Sequence, residues 1–331
     1  MFTKLLSTIF SLFIITANSA VLDVNVAKFT EFIKTYDKNY SDVELVSRFS
    51  IFKDNLKKIE EHNSENHSWK MAVNKFADLT ADEFKLYYTG FNNPRPNFRK
   101  STINFRELNL SPVEDLPAEF DWVEKGAVTG VKDQGQCGSC WAFSTIASTE
   151  GVYFLSTGKL VSLSEQQLVD CSSSYGNQGC NGGLMDDGFK YIEANGICSE
   201  SEYGYTASDG TCKKCTTVTK INSFVDITPN SESDLQQAVL LNPVSVAIEA
   251  DEFTFQFYSS GVLTAECGTN LDHGVLLVGY GNLDGVDYWK VKNSWGVSWG
   301  QEGYILLARN VTQPEGQCGI TMMASYPVLN S

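Results

Sequence analysis

All nine cysteines of this 331-residue chain lie between Cys137 and Cys318, and residues 1–115 contain none. That distribution predicts a disulfide-bridged unit preceded by an unbridged one. Charge divides at the same place. Residues 1–115 carry 15 basic and 15 acidic groups, so the whole net charge of −15 belongs to residues 116–331. An acidic unit lacks the basic face that a nucleic acid requires, so no nucleic-acid partner is expected. The apolar share of 42% and charged share of 20% are those of a folded globular chain.

Residues 1–20 read as a signal peptide. Lys4 is the basic start, Leu5–Ile15 the apolar run, and Ala17-Asn18-Ser19-Ala20 the small-residue cleavage site. The run is too short to cross a bilayer core of about 30 Å, so no membrane anchor is expected. Passage through an oxidising compartment implies paired cysteines. Nine is odd, so at least one is left over. The sequons at Asn39, Asn66, Asn109 and Asn310 are candidate glycosylation sites on the same route.

Residues 21–115 form the cysteine-free module. Glu44, Arg48, Ile51, Phe52, Asn55, Ile59 and Asn63 recur at spacings of three and four, which predicts one stripe of a helix. Asn74, Phe76 and Asp78 alternate as in a short strand. Thr80 and Glu83 match a capping box that opens a second helix. From Gly90 the chain reads as an extended, cleavable linker up to Asp115.

The most informative segment is Gln134-Gly135-Gln136-Cys137-Gly138-Ser139-Cys140-Trp141-Ala142-Phe143-Ser144. Ser139 is a candidate N-cap, and the apolar run from Cys140 predicts a buried helix. Cys140 then stands at a helix N-terminus, where partial positive charge favours a thiolate. Three readings of Cys137-Gly-Ser-Cys140 remain open on spacing: a redox pair, half of a zinc site with Cys212-Lys-Lys-Cys215, or a structural cysteine beside a nucleophile. Zinc fits poorly with an oxidising compartment, and no metal is assigned. A nucleophile needs a base, and His273 is the single histidine after residue 115. It sits in the apolar run Leu271–Tyr280, where a lone histidine is often a core residue. Asn293, in Asn293-Ser294-Trp295-Gly296, is a candidate to orient the imidazole, with Trp295 shielding that contact.

Together these segments resemble the papain-like cysteine proteases. His273 and Asn293 lie 133 and 153 residues beyond Cys140, close to the spacing of that family. The stripe from Glu44 to Asn63 and the segment Val73–Asp78 resemble the propeptide motifs of its cathepsin L-like branch, except that Ala72 replaces the usual glycine. The resemblance implies an α+β, papain-like fold of two domains, a helical left one and a β-barrel-like right one, behind a helical inhibitory propeptide. It implies a propeptide over 21–115 and a peptidase over 116–331, with a mainly helical half at 116–227 and a β-rich half at 228–331. Cleavage is expected near Glu114–Leu116. The implied enzyme is a monomeric zymogen without cofactor. Its partners are protein and peptide substrates and its own propeptide.

The resemblance also assigns roles. Cys140 is the nucleophile, His273 the base, Asn293 its orienter, and Gln134 with the Cys140 backbone N–H the oxyanion hole. It implies the bridges Cys137–Cys180, Cys171–Cys212 and Cys267–Cys318. Cys198 and Cys215 are left for a fourth, with exchange of Cys212 and Cys215 also open. Gly182 and Gly183 form a substrate-binding wall, with Asp272 and Trp295 as further binding residues. Leu184, Met185, Ala247, Leu271 and Met323 line an apolar S2 pocket that selects Leu or Phe at P2. Acid release of the propeptide through Asp78 and neighbouring carboxylates is expected. A thiol–disulfide oxidoreductase using Cys137 and Cys140, or a catalytically silent protein of the same fold, are the alternatives.

Overall fold

The computed structural model describes residues 19–91, 103–108 and 116–329. The apolar run of the expected signal peptide, the Asn109 sequon and most of the expected cleavage segment lie outside these residues.

The first part contains helices α1 (Ser19–Thr35), α2 (Asp42–Ser64) and α3 (Ala81–Tyr88), with strand β1 (Trp69–Met71). Then follow β2 (Phe120–Asp121), α4 (Cys140–Thr157), α5 (Glu165–Cys171), α6 (Met185–Asn195), β3 (Ile197–Cys198), β4 (Thr217–Thr219) and β5 (Ser223–Asp226). The remainder is α7 (Glu232–Val239), β6 (Val244–Ile248), α8 (Phe253–Gln256), β7 (Tyr258–Leu263), β8 (His273–Leu283), β9 (Val286–Lys292), β10 (Tyr304–Ala308) and β11 (Ala324–Val328).

Helix α2 opens with a capping box between Ser41 and Glu44. Its apolar face (Leu45, Phe49, Phe52, Leu56, Ile59) is buried. The polar members of the stripe hold the segment that follows. Arg48 donates to both Glu83 carboxylate oxygens at 2.7 and 2.8 Å and to the Asp78 carbonyl at 2.9 Å. Asn55 Nδ2 donates to the carbonyls of Ala77 and Leu79, both at 3.0 Å. Asn63 exchanges two bonds with the backbone of Met71.

The strand expected over Asn74–Asp78 is absent, and the segment turns instead. The Asn74 side chain accepts from Phe76 N at 3.0 Å, and Ala77 N and Leu79 N donate to carbonyls three residues back. An asparagine that closes its own turn outweighs the period-two pattern. The strand lies earlier, at β1. The capping box of Thr80 and Glu83 opens α3. The linker is not extended throughout: Phe105–Leu108 is a short 3-10 turn with Phe105 buried, and Arg106 pairs with Asp234 at 2.9 Å.

The main sheet runs β1-β7-β10-β9-β8-β6-β11-β5, with β2 beside β8. It stays open, so the barrel-like expectation is corrected. Its outer strands β1 and β5 do not pair with each other. The chain before residue 116 meets both margins: β1 lies antiparallel on β7, and Asn104 bridges to Asp226 of β5. These contacts satisfy backbone groups that an open sheet leaves unpaired. Strands β2 and β5, from the segment expected to be helical, also join this sheet.

Two apolar cores result. One joins the sheet to the propeptide, and the other packs α4, α5 and α6 around Cys140. Helix α4 is buried over nearly its whole N-terminal two-thirds, then ends at Gly158 in the left-handed region. The bridges are Cys137–Cys180, Cys171–Cys212, Cys198–Cys215 and Cys267–Cys318. Each typically stabilises a fold by about 2–4 kcal/mol. Cys140 is the free cysteine.

Candidate active site

Cys140 is the first residue of α4 and is fully buried. The loop before it is held tightly. Cys137 is bridged to Cys180, and Gly138 N donates to Cys180 O at 3.0 Å. A Cβ on Gly138 would lie 2.5 Å from that same carbonyl, so a side chain is excluded there. The bridge at Cys137 removes the redox-pair and zinc readings of the Cys137–Cys140 motif.

Ser139 does not cap α4 with its side chain. Its hydroxyl is hydrogen-bonded to the Tyr205 hydroxyl at 2.6 Å, and Tyr205 donates onward to the Gln134 carbonyl at 2.8 Å. Tyr205 is a site-building residue that sequence reading missed, because its partners lie 66 and 71 residues away.

His273 begins β8, beside Ile248 of β6. Its Nε2 is 2.8 Å from Asn293 Oδ1, which makes Nε2 the protonated nitrogen and the donor. The ring stacks on Trp295 at 4.6 Å between centroids. Nδ1 is buried and has no hydrogen-bond partner among the described residues. The Cys140 sulfur accepts from Gly274 N, the next residue, at 3.3 Å. Gln134 is fully buried. Ser294 Oγ donates to its Oε1 at 2.7 Å, which fixes the amide so that Nε2 donates to Cys137 O at 3.0 Å and Tyr88 O at 3.4 Å.

The propeptide occupies this cleft. Gly90 N and Phe91 N donate to Asp272 O at 3.0 and 2.8 Å, and Gly183 N donates to Gly90 O at 3.0 Å. A Cβ on Gly90 would stand 2.2 Å from Gly138 O, so only glycine passes at this point. Trp295 Nε1 donates to Tyr88 O at 3.1 Å. Phe91 enters the apolar cluster that contains Leu184, Met185, Ala247 and Leu271, with Met323 packed against it. Beside Phe91 lies a cavity of about 330 Å³, whose lining includes Leu184, Met185, Met322 and Met323. Asp186 and Asp226, which sequence reading did not single out, also line it. Gly182, at a φ of 103°, precedes the Gly183 contact. Phe91 was legible only as an aromatic after Gly90; nothing local marks it as the plug of a distant pocket.

Under this cover burial disfavours charge on both Cys140 and His273. Burial pushes the Cys140 thiol up to about 12 from an ordinary 9.0, with the Gly274 N–H pulling the other way. Burial pulls His273 down to about 4, partly opposed by Asn293. The thiol change is worth about 4 kcal/mol. A helix N-terminus favours the thiolate by only about 0.3–1 kcal/mol. Burial in the seated zymogen therefore opposes the thiolate that the helix position favours.

Of the sequons, Asn39, Asn66 and Asn310 are exposed, and Asn310 Nδ2 donates to Asp287 at 2.6 Å.

Comparison with known proteins agrees with this geometry. Residues 116–328 match the papain family cysteine protease description, and residues 29–84 match the cathepsin propeptide inhibitor domain. The chain is 52% identical to the thiol protease SEN102 of Hemerocallis sp., over 86% of this chain and 81% of that protein. It is 51% identical to the probable cysteine protease RD21B of Arabidopsis thaliana, over 89% of this chain but only 64% of that longer protein. The proform of Amb a 11, a ragweed pollen cysteine protease, superposes with a TM-score of 0.84 at 39% identity, covering 93% of this chain and 95% of that one. With its cleft, its free cysteine and an inhibitor segment across both, this chain belongs to the papain family of cysteine proteases and is a zymogen of that family.

Proposed function

We propose that Cys140, His273, Asn293 and Gln134 carry out peptide hydrolysis as follows. The propeptide leaves, water enters, and the cost of charge at Cys140 and His273 falls. The thiol proton passes to His273 Nδ1, giving a thiolate–imidazolium pair. The sulfur attacks the peptide carbonyl carbon, and the resulting oxyanion takes hydrogen bonds from Gln134 Nε2 and the Cys140 backbone N–H. His273 gives its proton to the leaving amine as the C–N bond breaks. Water, deprotonated by His273, then attacks the acyl-thioester. The acid is released and the thiol is restored. Asn293 and the Trp295 ring keep the imidazole turned so that Nδ1 faces the reaction.

One observation carries this reading: His273 is anchored through Nε2 while its buried Nδ1 has no partner, beside the chain's one free cysteine. The apolar surroundings of Phe91 support Leu or Phe at P2, with Gly182 and Gly183 as the wall along which the substrate backbone lies. The four bridges support folding on the secretory route, with a lysosome-like compartment or the extracellular space as destination. The propeptide ends and the mature enzyme begins near Glu114–Leu116, and the enzyme works as a monomer. The test is to acidify the secreted protein and assay Phe-Arg and Leu-Arg fluorogenic peptides, with Cys140→Ala and an epoxide inhibitor as controls. Hydrolysis that survives Cys140→Ala, or an Arg preference over Leu at P2, contradicts it.

A further inference from the structure

Lys85 of helix α3 reaches out of the propeptide and pairs with Asp251 Oδ2 at 2.5 Å. The place it enters is unusual. Carboxylate oxygens of Glu249, Asp251 and Glu252 lie within 4.8 Å of one another. Asp272 faces the same ground, where burial first and then Asp251 and Glu249 oppose its ionisation, and the Ala250 N–H and Lys85 favour it. Asp272 is 7% exposed; its Oδ1 accepts from Ala250 N at 2.9 Å, while its Oδ2 is buried with no hydrogen-bond partner among the described residues. Asp251 Oδ1 is in the same condition. Asp251, Asp272 and Glu249 share the Lys85 ammonium, with Glu252 beside them, and two buried oxygens remain to accept hydrogen bonds. A buried acceptor without a donor is unfavourable, so the pocket favours a cationic donor.

The location gives this charge a use. Asp272 precedes His273, and its carbonyl receives Gly90 N and Phe91 N in the cleft. From Phe91 in the apolar pocket, the propeptide passes Gly90 at the nucleophile loop and Tyr88 at Gln134 and Trp295. It then arrives at Lys85 on Asp251. The acidic pocket therefore lies beyond the nucleophile from the P2 pocket, where the leaving-group side of a substrate emerges.

We propose that Glu249, Asp251, Glu252 and Asp272 form a subsite for the ammonium or guanidinium of a Lys or Arg side chain, filled by Lys85 in the zymogen and by a basic residue on the leaving-group side of the substrate in the mature enzyme. This rests on the cysteine-protease reading above. The substrate class it names is a polypeptide with an apolar residue at P2 and a basic residue shortly after the scissile bond.

The test uses mature enzyme and internally quenched peptides with Leu at P2. The three positions after the scissile bond are each set to Lys, Arg, Gln or Glu. At one of them, kcat/KM for Lys and Arg is expected to exceed that for Gln by about fivefold, the size of one partly exposed ion pair, and to shrink with added salt. Asp251→Asn brings that ratio to about one, and Glu252→Gln, at an exposed position, lowers it partway. A flat panel, or a Lys/Gln ratio that Asp251→Asn leaves intact, overturns the proposal. A preference abolished by millimolar calcium or magnesium, together with a calcium-dependent rise in Tm, overturns it in favour of a metal site. Failure of the underlying reading looks different: no peptide is cleaved, and the epoxide does not label Cys140.

Discussion

The propeptide and the enzyme keep carboxylates in opposite settings, and the difference bears on how each should respond to acid. In the propeptide, Glu44 is exposed and Glu83 partly buried, and both are held by donors. Hydrogen bonds from Arg48 keep Glu83 below the usual carboxylate range, and Ser41 does the same for Glu44. In the enzyme, burial pushes Glu165 and Asp186 upward instead. A depressed carboxylate loses stabilisation as pH falls; a raised one loses it as pH rises. Bridging follows the same division, since all four disulfides lie after residue 136 and none holds the propeptide. The expectation is a region that acid loosens joined to one that acid leaves intact.

The chemical side of that contrast carries the largest expected effect. Cys140→Ala should lower kcat by roughly 10⁴-fold or more, while the propeptide stays seated and the fold intact. Circular dichroism and peptide hydrolysis measured on one preparation check this. If the variant also loses its propeptide, Cys140 has a structural share that the contrast denies it.

Next in size is the seat of the propeptide itself. Phe84 is fully buried and meets the Trp295 ring edge-on at 5.1 Å between centroids. Phe84→Ala should weaken docking by about 3–5 kcal/mol, as for other buried aromatic truncations. Added in trans to mature enzyme, the variant propeptide should inhibit more weakly by roughly 10²-fold or more. Equal inhibition by both forms would place the docking energy elsewhere.

Much of this was legible in the chain because it is local or nearly so. The helix of Arg48, Asn55 and Asn63 shows in its spacing, the capping box of Thr80 in four residues, and the helix that starts at the free Cys140 in its apolar run. The unread parts join distant segments. Nothing near Phe91 says that it meets Leu184 and Leu271, and nothing near Lys85 announces Asp251, 166 residues on. The false strand at Asn74–Asp78 and the false side-chain cap at Ser139 share a cause. In each, a polar side chain found a partner that a periodic pattern does not encode: Asn74 in its own turn, Ser139 in Tyr205.

Acid release sharpens the comparison further. His62 is held below its ordinary 6.5, by burial first and then by His67 and Lys70, with the Trp69 carbonyl and Glu65 opposing. His67 stacks on it at 4.2 Å between centroids and pairs with Glu65 at 2.9 Å. A folded-state value below the unfolded one means that the propeptide's own fold, on which its docking depends, weakens as pH falls below 6.5. Glu83 adds its loss below its ordinary 4.5. Conversion of the zymogen should therefore run at least about tenfold faster at pH 4.5 than at pH 7. His62→Gln should flatten the limb nearer pH 6. Conversion equally fast at both pH values would remove the opposition between the two regions.

The smallest expected effect tests whether propeptide helices, unlike α4, depend on side-chain caps. Thr80 Oγ1 accepts from Glu83 N at 3.2 Å, and Thr80 N donates to the Glu83 carboxylate at 2.9 Å in return. Thr80→Ala should destabilise α3 by about 1 kcal/mol, seen as a roughly fivefold weaker inhibition in trans. Helix α4 has no side-chain cap to lose, because the Ser139 hydroxyl is turned to Tyr205 and burial holds the helix start. Ser139→Ala should accordingly leave amide exchange in the first turn of α4 slow, whereas Thr80→Ala should speed it in the first turn of α3. Fast exchange at both helix starts would mean that α4, too, draws its stability from its terminus rather than from the core around it.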